Sequence, residues 1–131
     1  MILLDTHSWV WWASDAGELS KPARRAIDDA VAEGRGLVSS ISVWEVAMLV
    51  ARGRLRLTMA VEDWVTQAER IPGLRFVLVN NAIALRSVRL PGRLHEDPAD
   101  RIIIATTLRH GAAVVTKDER IRRYEHVCAI W

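Results

Sequence analysis

Short, wholly apolar runs alternate along this chain with longer segments of helical periodicity. Ile2-Leu3-Leu4 is the first such run, and its stop at Asp5 predicts a strand buried on both faces with an acid at its C-terminal end. Thr6 to Ala13 follows, carrying Trp9, Trp11 and Trp12, of which Trp9 and Trp12 share a helical face. Ser20-Lys21-Pro22 opens a helix through about Glu33, with Ser20 as N-cap and Pro22 in the first turn, and Gly34 and Gly36 close it. Leu37-Val38 predicts a second strand. Ser39 to Ser42 offers hydroxyl caps for a helix from about Val43 to Ala51, stopped at Gly53. A further amphipathic helix runs from about Val61 to Arg70, and Pro72-Gly73 ends it before the β-rich run Phe76-Val77-Leu78-Val79.

The last third repeats the alternation. Asn80 or Asn81 caps a short helix to about Val88, a polar loop covers Leu90 to Glu96, and Asp97-Pro98 leads into a helix from Ala99 to about His110. Ile102-Ile103-Ile104-Ala105 makes that helix apolar nearly all round, which predicts cover on several sides. Gly111 ends it, Ala113 to Thr116 reads as a buried strand, and Val127 to Ile130 as a last one. Short apolar strands alternating with helices predict an α/β fold of three layers around a mainly parallel sheet. No repeat, linker or low-complexity stretch interrupts the chain, and its 131 residues suit a single domain, 1–131.

An open α/β sheet binds its ligands outside the carboxyl ends of the strands, so the side chains expected there carry the chemistry. They are mostly carboxylates. Asp5 follows the first strand directly, and Asp118 lies two residues past Thr116 at the end of a later one. Glu45 falls in the first turns of the helix after the second strand, and Asp100 in the first turn of the Ala99–His110 helix. Each acid alone has an ordinary structural reading: strand-end cap, solvated helix residue, or favourable charge at a helix start. Asp97, directly before Pro98, is expected to be an N-cap. Together, four acids from distant segments repel one another by about 1 kcal/mol per close pair in water and about 4 at an effective dielectric near 20, which calls for a cation. Oxygen ligands without paired His or Cys suit Mg2+ or Mn2+ rather than Zn2+ and point to phosphodiester chemistry.

Charge and cysteine usage narrow the setting. Eighteen Lys and Arg against 16 Asp and Glu give a net +2, which permits a nucleic-acid partner without arguing for one. Hydrophobic residues make up 50% and charged residues 26%, the balance of an ordinary globular protein. Cys128 is the single cysteine, so no intrachain disulfide forms. Met1 to Asp5 has no basic leader and no apolar run approaches the roughly 20 residues of a membrane span. A cytoplasmic protein with no membrane association is expected.

The ordered segments Leu3-Leu4-Asp5-Thr6-His7, Ser42-Val43-Trp44-Glu45-Val46-Ala47, His95-Glu96-Asp97-Pro98-Ala99-Asp100-Arg101-Ile102-Ile103-Ile104-Ala105 and Val115-Thr116-Lys117-Asp118 resemble the four motifs of PIN-domain ribonucleases, specifically VapC-like toxins of type II toxin–antitoxin systems. The resemblance spans residues 1 to about 125. It implies a sheet with helices on both faces, Asp5, Glu45, Asp100 and Asp118 as catalytic metal-binding acids, and Thr116 as a hydroxyl supporting the last of them. It further implies a Mg2+- or Mn2+-dependent endoribonuclease acting on RNA, a cognate antitoxin partner and a homodimer. Ala99 departs from the aromatic common in this subgroup, which affects packing and not the ligand set.

Arg101 and Lys117 flank two of the acids, either as contacts for substrate phosphates or as salt-bridging surface groups. His7, His95, His110 and His126 lack metal-ligand spacing, and His7, close to Asp5, is the one His worth testing. Most of the six Trp are expected in the core, with Trp64 or Trp12 as candidates for a partner surface. The competing functional reading is a PIN-like module that binds RNA or protein without cleaving. A phosphotransfer receiver lacks its acidic pair after the first strand, and an aspartyl phosphatase lacks its second Asp, where this chain has His7.

Overall fold

The computed structural model describes residues 1–131. Five parallel strands form one sheet in the order β3-β2-β1-β4-β5, with β1 Ile2–Leu4, β2 Gly36–Ser39, β3 Leu74–Val77, β4 Ala113–Val115 and β5 Ala129–Ile130. Seven helices connect them: α1 Thr6–Ala13, α2 Lys21–Ala32, α3 Ser40–Ala51, α4 Val61–Glu69, α5 Asn81–Val88, α6 Pro98–Arg109 and α7 Glu119–Arg122. The chain builds outward from β1 through β2 to β3, then returns to the other side of β1 with β4. The strand order therefore reverses at the β1–β4 pair, where Leu4 lies opposite Val115. A crevice at the carboxyl ends of those two strands is where such a sheet takes a ligand.

Side-chain alternation along the strands divides the core into two. Ile2, Leu4, Val38 and Val115 point to one face and pack against Trp9 of α1, Ile27 of α2 and Val46 of α3. Leu3, Leu37 and Val114 point to the other, against Ile83 of α5, Ile103 and Ile104 of α6 and Ile121 of α7. This is the three-layer α/β arrangement expected, with helices on both faces. Trp9 is fully buried, with Trp64 at 4.6 Å and Phe76 edge-on at 5.5 Å between ring centroids. Trp64 is thus a core contact rather than a partner surface, and Trp12 donates its indole N–H to Asp28 at 2.8 Å. The exposed tryptophan is Trp44, at 56%.

Several boundaries differ from the expected ones for identifiable reasons. Helix α3 begins at Ser40 because Ser39 ends β2 and caps the helix at once, accepting from Ile41 N at 3.2 Å. Gly36 belongs to β2 rather than to the end of α2, pairing with Ile2 and Leu74. Strand β3 starts at Leu74 and stops at Val77 because its ladder partner β2 turns into α3 there. Beyond it Leu78 is exposed and Val79 N donates to Ser40 Oγ at 3.1 Å. Helix α7, too short for a periodic signal, exists because Asp118 caps it, accepting from Arg120 N and Ile121 N.

The β2–β3 edge depends on a close backbone approach. Gly73 sits at φ +86 and its carbonyl accepts from Gly36 N at 3.1 Å, while a Cβ built on it would land inside the Val31 carbonyl. Gly53 also has positive φ, at +70, but has open space around it. Gly53→Ala should cost about 1 kcal/mol, the left-handed backbone penalty alone. Gly73→Ala should cost well over that, about 3 kcal/mol or more once strain and displacement of α2 are added. Urea denaturation of both variants checks the ordering, and equal losses would show that the approach to Val31 is not tight.

Candidate active site

Asp5, Glu45, Asp100 and Asp118 line one open cleft of about 450 Å³ together with Thr6, His7, Trp11, Asp97, Lys117 and Arg120. Each acid arrives by a different local device. Asp5 continues β1, its N–H donating to Val115 O at 3.1 Å, and its Oδ1 caps α1 by accepting from Ser8 N at 2.8 Å. Glu45 rides on the second turn of α3. Asp100 is the third residue of α6, whose N-cap is Asp97, accepting from Asp100 N at 3.0 Å, with Pro98 first in the helix. Asp118 follows β4 and caps α7. Two helix starts and two strand ends thereby deliver four carboxylates to the edge where the strand order reverses.

Buried hydroxyls support the acids from beneath. Thr6, Ser42 and Thr116 are 0–3% exposed. Thr6 donates its hydroxyl to Glu45 Oε1 at 2.5 Å, and its oxygen lies 2.9 Å from Ser42 Oγ; its one proton goes to the carboxylate, so the Ser42 hydroxyl supplies the other. Thr116 Oγ1 accepts from Asp118 N at 3.0 Å, and the same hydroxyl faces the Asp5 carboxyl and lowers its pKa. Thr116 thus couples the ends of β1 and β4.

The electrostatics show how costly the cluster is. Burial pushes the Asp5 carboxyl above its ordinary value, against the lowering effect of Thr116 and Ser8. Glu45 is raised by burial and by the charges of Asp100 and Asp97, with the Thr6 bond acting the other way. Asp100 is raised by burial, with Asp97 and Asp118 adding to the effect and His95 opposing it. Asp118 alone is lowered, chiefly by the Arg120 guanidinium, which reaches its Oδ2 at 2.9 Å and Asp100 Oδ2 at 3.8 Å.

Two basic residues part company here. Arg101 does not face the cleft: its guanidinium donates to Ser87 O, Leu94 O and His95 O at 2.9, 3.0 and 3.4 Å, so the phosphate-contact reading of this residue fails. Lys117 does line the cleft, with Nζ 5.8 Å from the Trp11 ring centroid. His7 lines it too, its ring 5.6 Å from that of Trp11. Arg120 and His95 were not indicated by spacing. His95 Nε2 lies 2.6 Å from Asp100 Oδ2, and ligand-type atoms of His95, Asp100 and Asp118 fall within 4.8 Å of one another. The one sequence signal for His95 was its place five residues before Asp100.

A PIN-domain family model matches residues 2–127 of the chain. The chain belongs to the PIN-domain family. Within it, the chain is 38% identical to Ribonuclease VapC22 of Mycobacterium tuberculosis (strain ATCC 25618 / H37Rv) over 126 residues, covering 95% of this chain and 92% of that protein. Solved PIN folds superpose on it as well. A DNA-bound VapBC from Salmonella typhimurium matches at TM-score 0.67 and 19% identity, over 98% of this chain and 95% of that one. VapBC2 from Rickettsia felis, bound to a promoter DNA fragment, matches at TM-score 0.71 and 14% identity, over 98% and 97%. At those identities the superpositions establish the fold.

The donor set fits a hard divalent cation. Carboxylate oxygens of Asp100 and Asp118 fall within 4.8 Å of each other, near enough for one ion to be shared between them, and PIN nucleases are metal-dependent. Asp5 and Glu45 line the same cleft outside that group.

The raised acids set a pH dependence. A carboxyl whose folded pKa lies above its unfolded value contributes stability that is full below the unfolded value and is lost as pH rises through the folded one. Asp5, Glu45 and Asp100 are of this kind. Asp118 is opposite: its contribution is present above the ordinary carboxylate value and lost as pH falls through its depressed one. Metal-free protein should therefore melt at a higher temperature in the mildly acidic range than at neutrality, and saturating Mn2+ should erase or reverse the difference. Asp100→Asn should leave the metal-free melting temperature unchanged or raised and shrink the gain on adding Mn2+, whereas Asp97→Asn, an equally good cap, should keep most of that gain. Thermal melts of the three proteins with and without Mn2+ check both statements. A normal Mn2+ gain in Asp100→Asn with none in Asp97→Asn would reverse the assignment of the two acids.

Proposed function

We propose that this chain is a single PIN-like domain, 1–131, acting as a metal-dependent endoribonuclease, the toxin of a toxin–antitoxin pair, with Asp5, Glu45, Asp100 and Asp118 as its metal-binding acids. The observation that carries this is the convergence of the four carboxylates at the strand-order reversal, in a chain 38% identical to a named ribonuclease over nearly its whole length. Mg2+ or Mn2+ is the ion favoured by the carboxylate-dominated donor set. When bound, it supplies Lewis-acid polarisation of a phosphoryl oxygen and activation of water for in-line attack.

The chain's own residues hold the geometry. Ser8 N and Thr116 fix Asp5, Thr6 fixes Glu45, and the Asp97 cap fixes the start of α6 and with it Asp100. Lys117 and Arg120 at the cleft wall supply donors for the RNA phosphates flanking the scissile bond. The Arg120 guanidinium already bridges Asp118 and Asp100, so it has only to turn outward to meet a phosphate.

The partner is an antitoxin that covers this cleft, a reading supported by the VapBC complexes among the structural relatives. A homodimer is the assembly implied by family resemblance. No helix is long and apolar enough to cross a membrane, and we place the protein in the cytoplasm, where its RNA substrate is.

Purified protein freed of any partner should cleave RNA when Mg2+ or Mn2+ is present and stop in EDTA. Asp5→Asn should lose at least about 100-fold in rate, the order expected for removing a preorganised charge from a site of this kind. Expression of the wild-type chain alone should arrest growth, with Asp5→Asn harmless. RNA binding without metal-dependent cleavage, together with healthy growth of the wild-type strain, would favour the non-cleaving binding module instead.

A further inference from the structure

His95 is the one histidine held tightly in the site. Its Nε2 lies 2.6 Å from Asp100 Oδ2, its side chain is 14% exposed, and its Nδ1 is buried without a hydrogen-bond partner. Those facts decide the tautomer. A proton on Nδ1 would be a buried donor with no acceptor, at a cost of about 1–3 kcal/mol, and would set the bare Nε2 lone pair against a carboxylate oxygen. With the proton on Nε2, the ring donates to Asp100 and leaves only a lone pair at Nδ1.

The loop that carries His95 is tied down for this purpose. Arg101, one residue beyond Asp100, donates to the carbonyls of Ser87, Leu94 and His95, pinning both ends of the α5–α6 connection to α6. Tyr124 Oη donates to Pro91 O at 2.5 Å and holds its middle. The His95 ring and the Asp100 carboxylate are therefore fixed relative to one another by a backbone clamp. The contacts made by that carboxylate, from His95 and from Arg120, fall on Oδ2.

We propose that His95 is a positioning residue of the metal site: its Nε2–H holds Asp100 Oδ2, setting the carboxylate rotamer and presenting Oδ1 to the cation. In this arrangement the ring orients the ligand and is not itself one, because Nε2–H is directed at Asp100 Oδ2. A group that orients a ligand in this way is typically worth about 10–100-fold in metal affinity. The inference rests on the metal-site reading above.

The experiment is calorimetric titration of Mn2+ into full-length wild type, His95→Ala, His95→Gln and His95→Asn, without RNA. Gln places its amide N–H where Nε2–H stands, whereas Asn reaches only to the Nδ1 position. His95→Ala and His95→Asn should weaken Mn2+ binding by about 10–100-fold, His95→Gln should restore most of it, and wild type loaded with Mn2+ should show no nitrogen hyperfine coupling. Unchanged affinity in folded His95→Ala, equal rescue by Asn and Gln, or nitrogen coupling in the wild type that His95→Gln abolishes would each overturn the positioning role. Failure of the wild type to bind Mn2+ at all would instead overturn the metal-site reading, so the two failures are distinguishable.

Discussion

The structure turns on one electrostatic constraint, the burial of carboxylates gathered where a parallel sheet reverses its strand order. Asp5, Glu45 and Asp100 all bind protons more tightly than free carboxyls do, with burial as the largest cause. A bound cation would relieve that penalty and stabilise the folded state that holds it. The surrounding features serve the same end: buried hydroxyls of Thr6, Ser42 and Thr116 beneath the acids, and the Arg120 guanidinium across Asp118 and Asp100. Arg120 offsets part of the charge from outside, but it is mostly solvent-exposed and screened accordingly.

The same constraint explains why so much of this small domain is devoted to holding chain ends rigidly. Asp5 is both site acid and N-cap of α1, and Asp118 both site acid and N-cap of α7. A capping carboxylate has its rotamer fixed by backbone N–H groups, which keeps it in place against repulsion from its neighbours. Asp97 does the capping for α6 and so leaves Asp100 free to face the cleft. Stability and site geometry are here the work of the same bonds.

Much of this was legible in the sequence because it follows from local rules. An apolar triplet ending in Asp5 marks a buried strand with a reactive end, and Asp97-Pro98 marks a helix start that places Asp100 one turn in. What was not legible depends on long-range or compensating contacts. His95 looked isolated because its spacing to other ligands carries no pattern; the contacts of Arg101 and Tyr124 with the loop carbonyls hold it beside Asp100. Arg101 stayed open between a phosphate contact and a surface salt bridge because charge next to an acid says nothing about direction, and three backbone carbonyls claimed it instead. Helix α7 spans four residues, below any periodic signal, and β3 ended at Val77 because its partner strand turned away. The Trp residues show the same limit: Trp64 was drawn inward by Trp9, and Trp44 was left exposed on α3.

Anomalous diffraction from crystals grown with Mn2+ would locate the ion among the four acids. A dominant peak is expected in the cleft, within coordination distance of Asp100 and Asp118 carboxylate oxygens, with Asp5 and Glu45 contacting the ion directly or through water. An empty cleft at saturating Mn2+, or an ion held by none of these four acids, would contradict it.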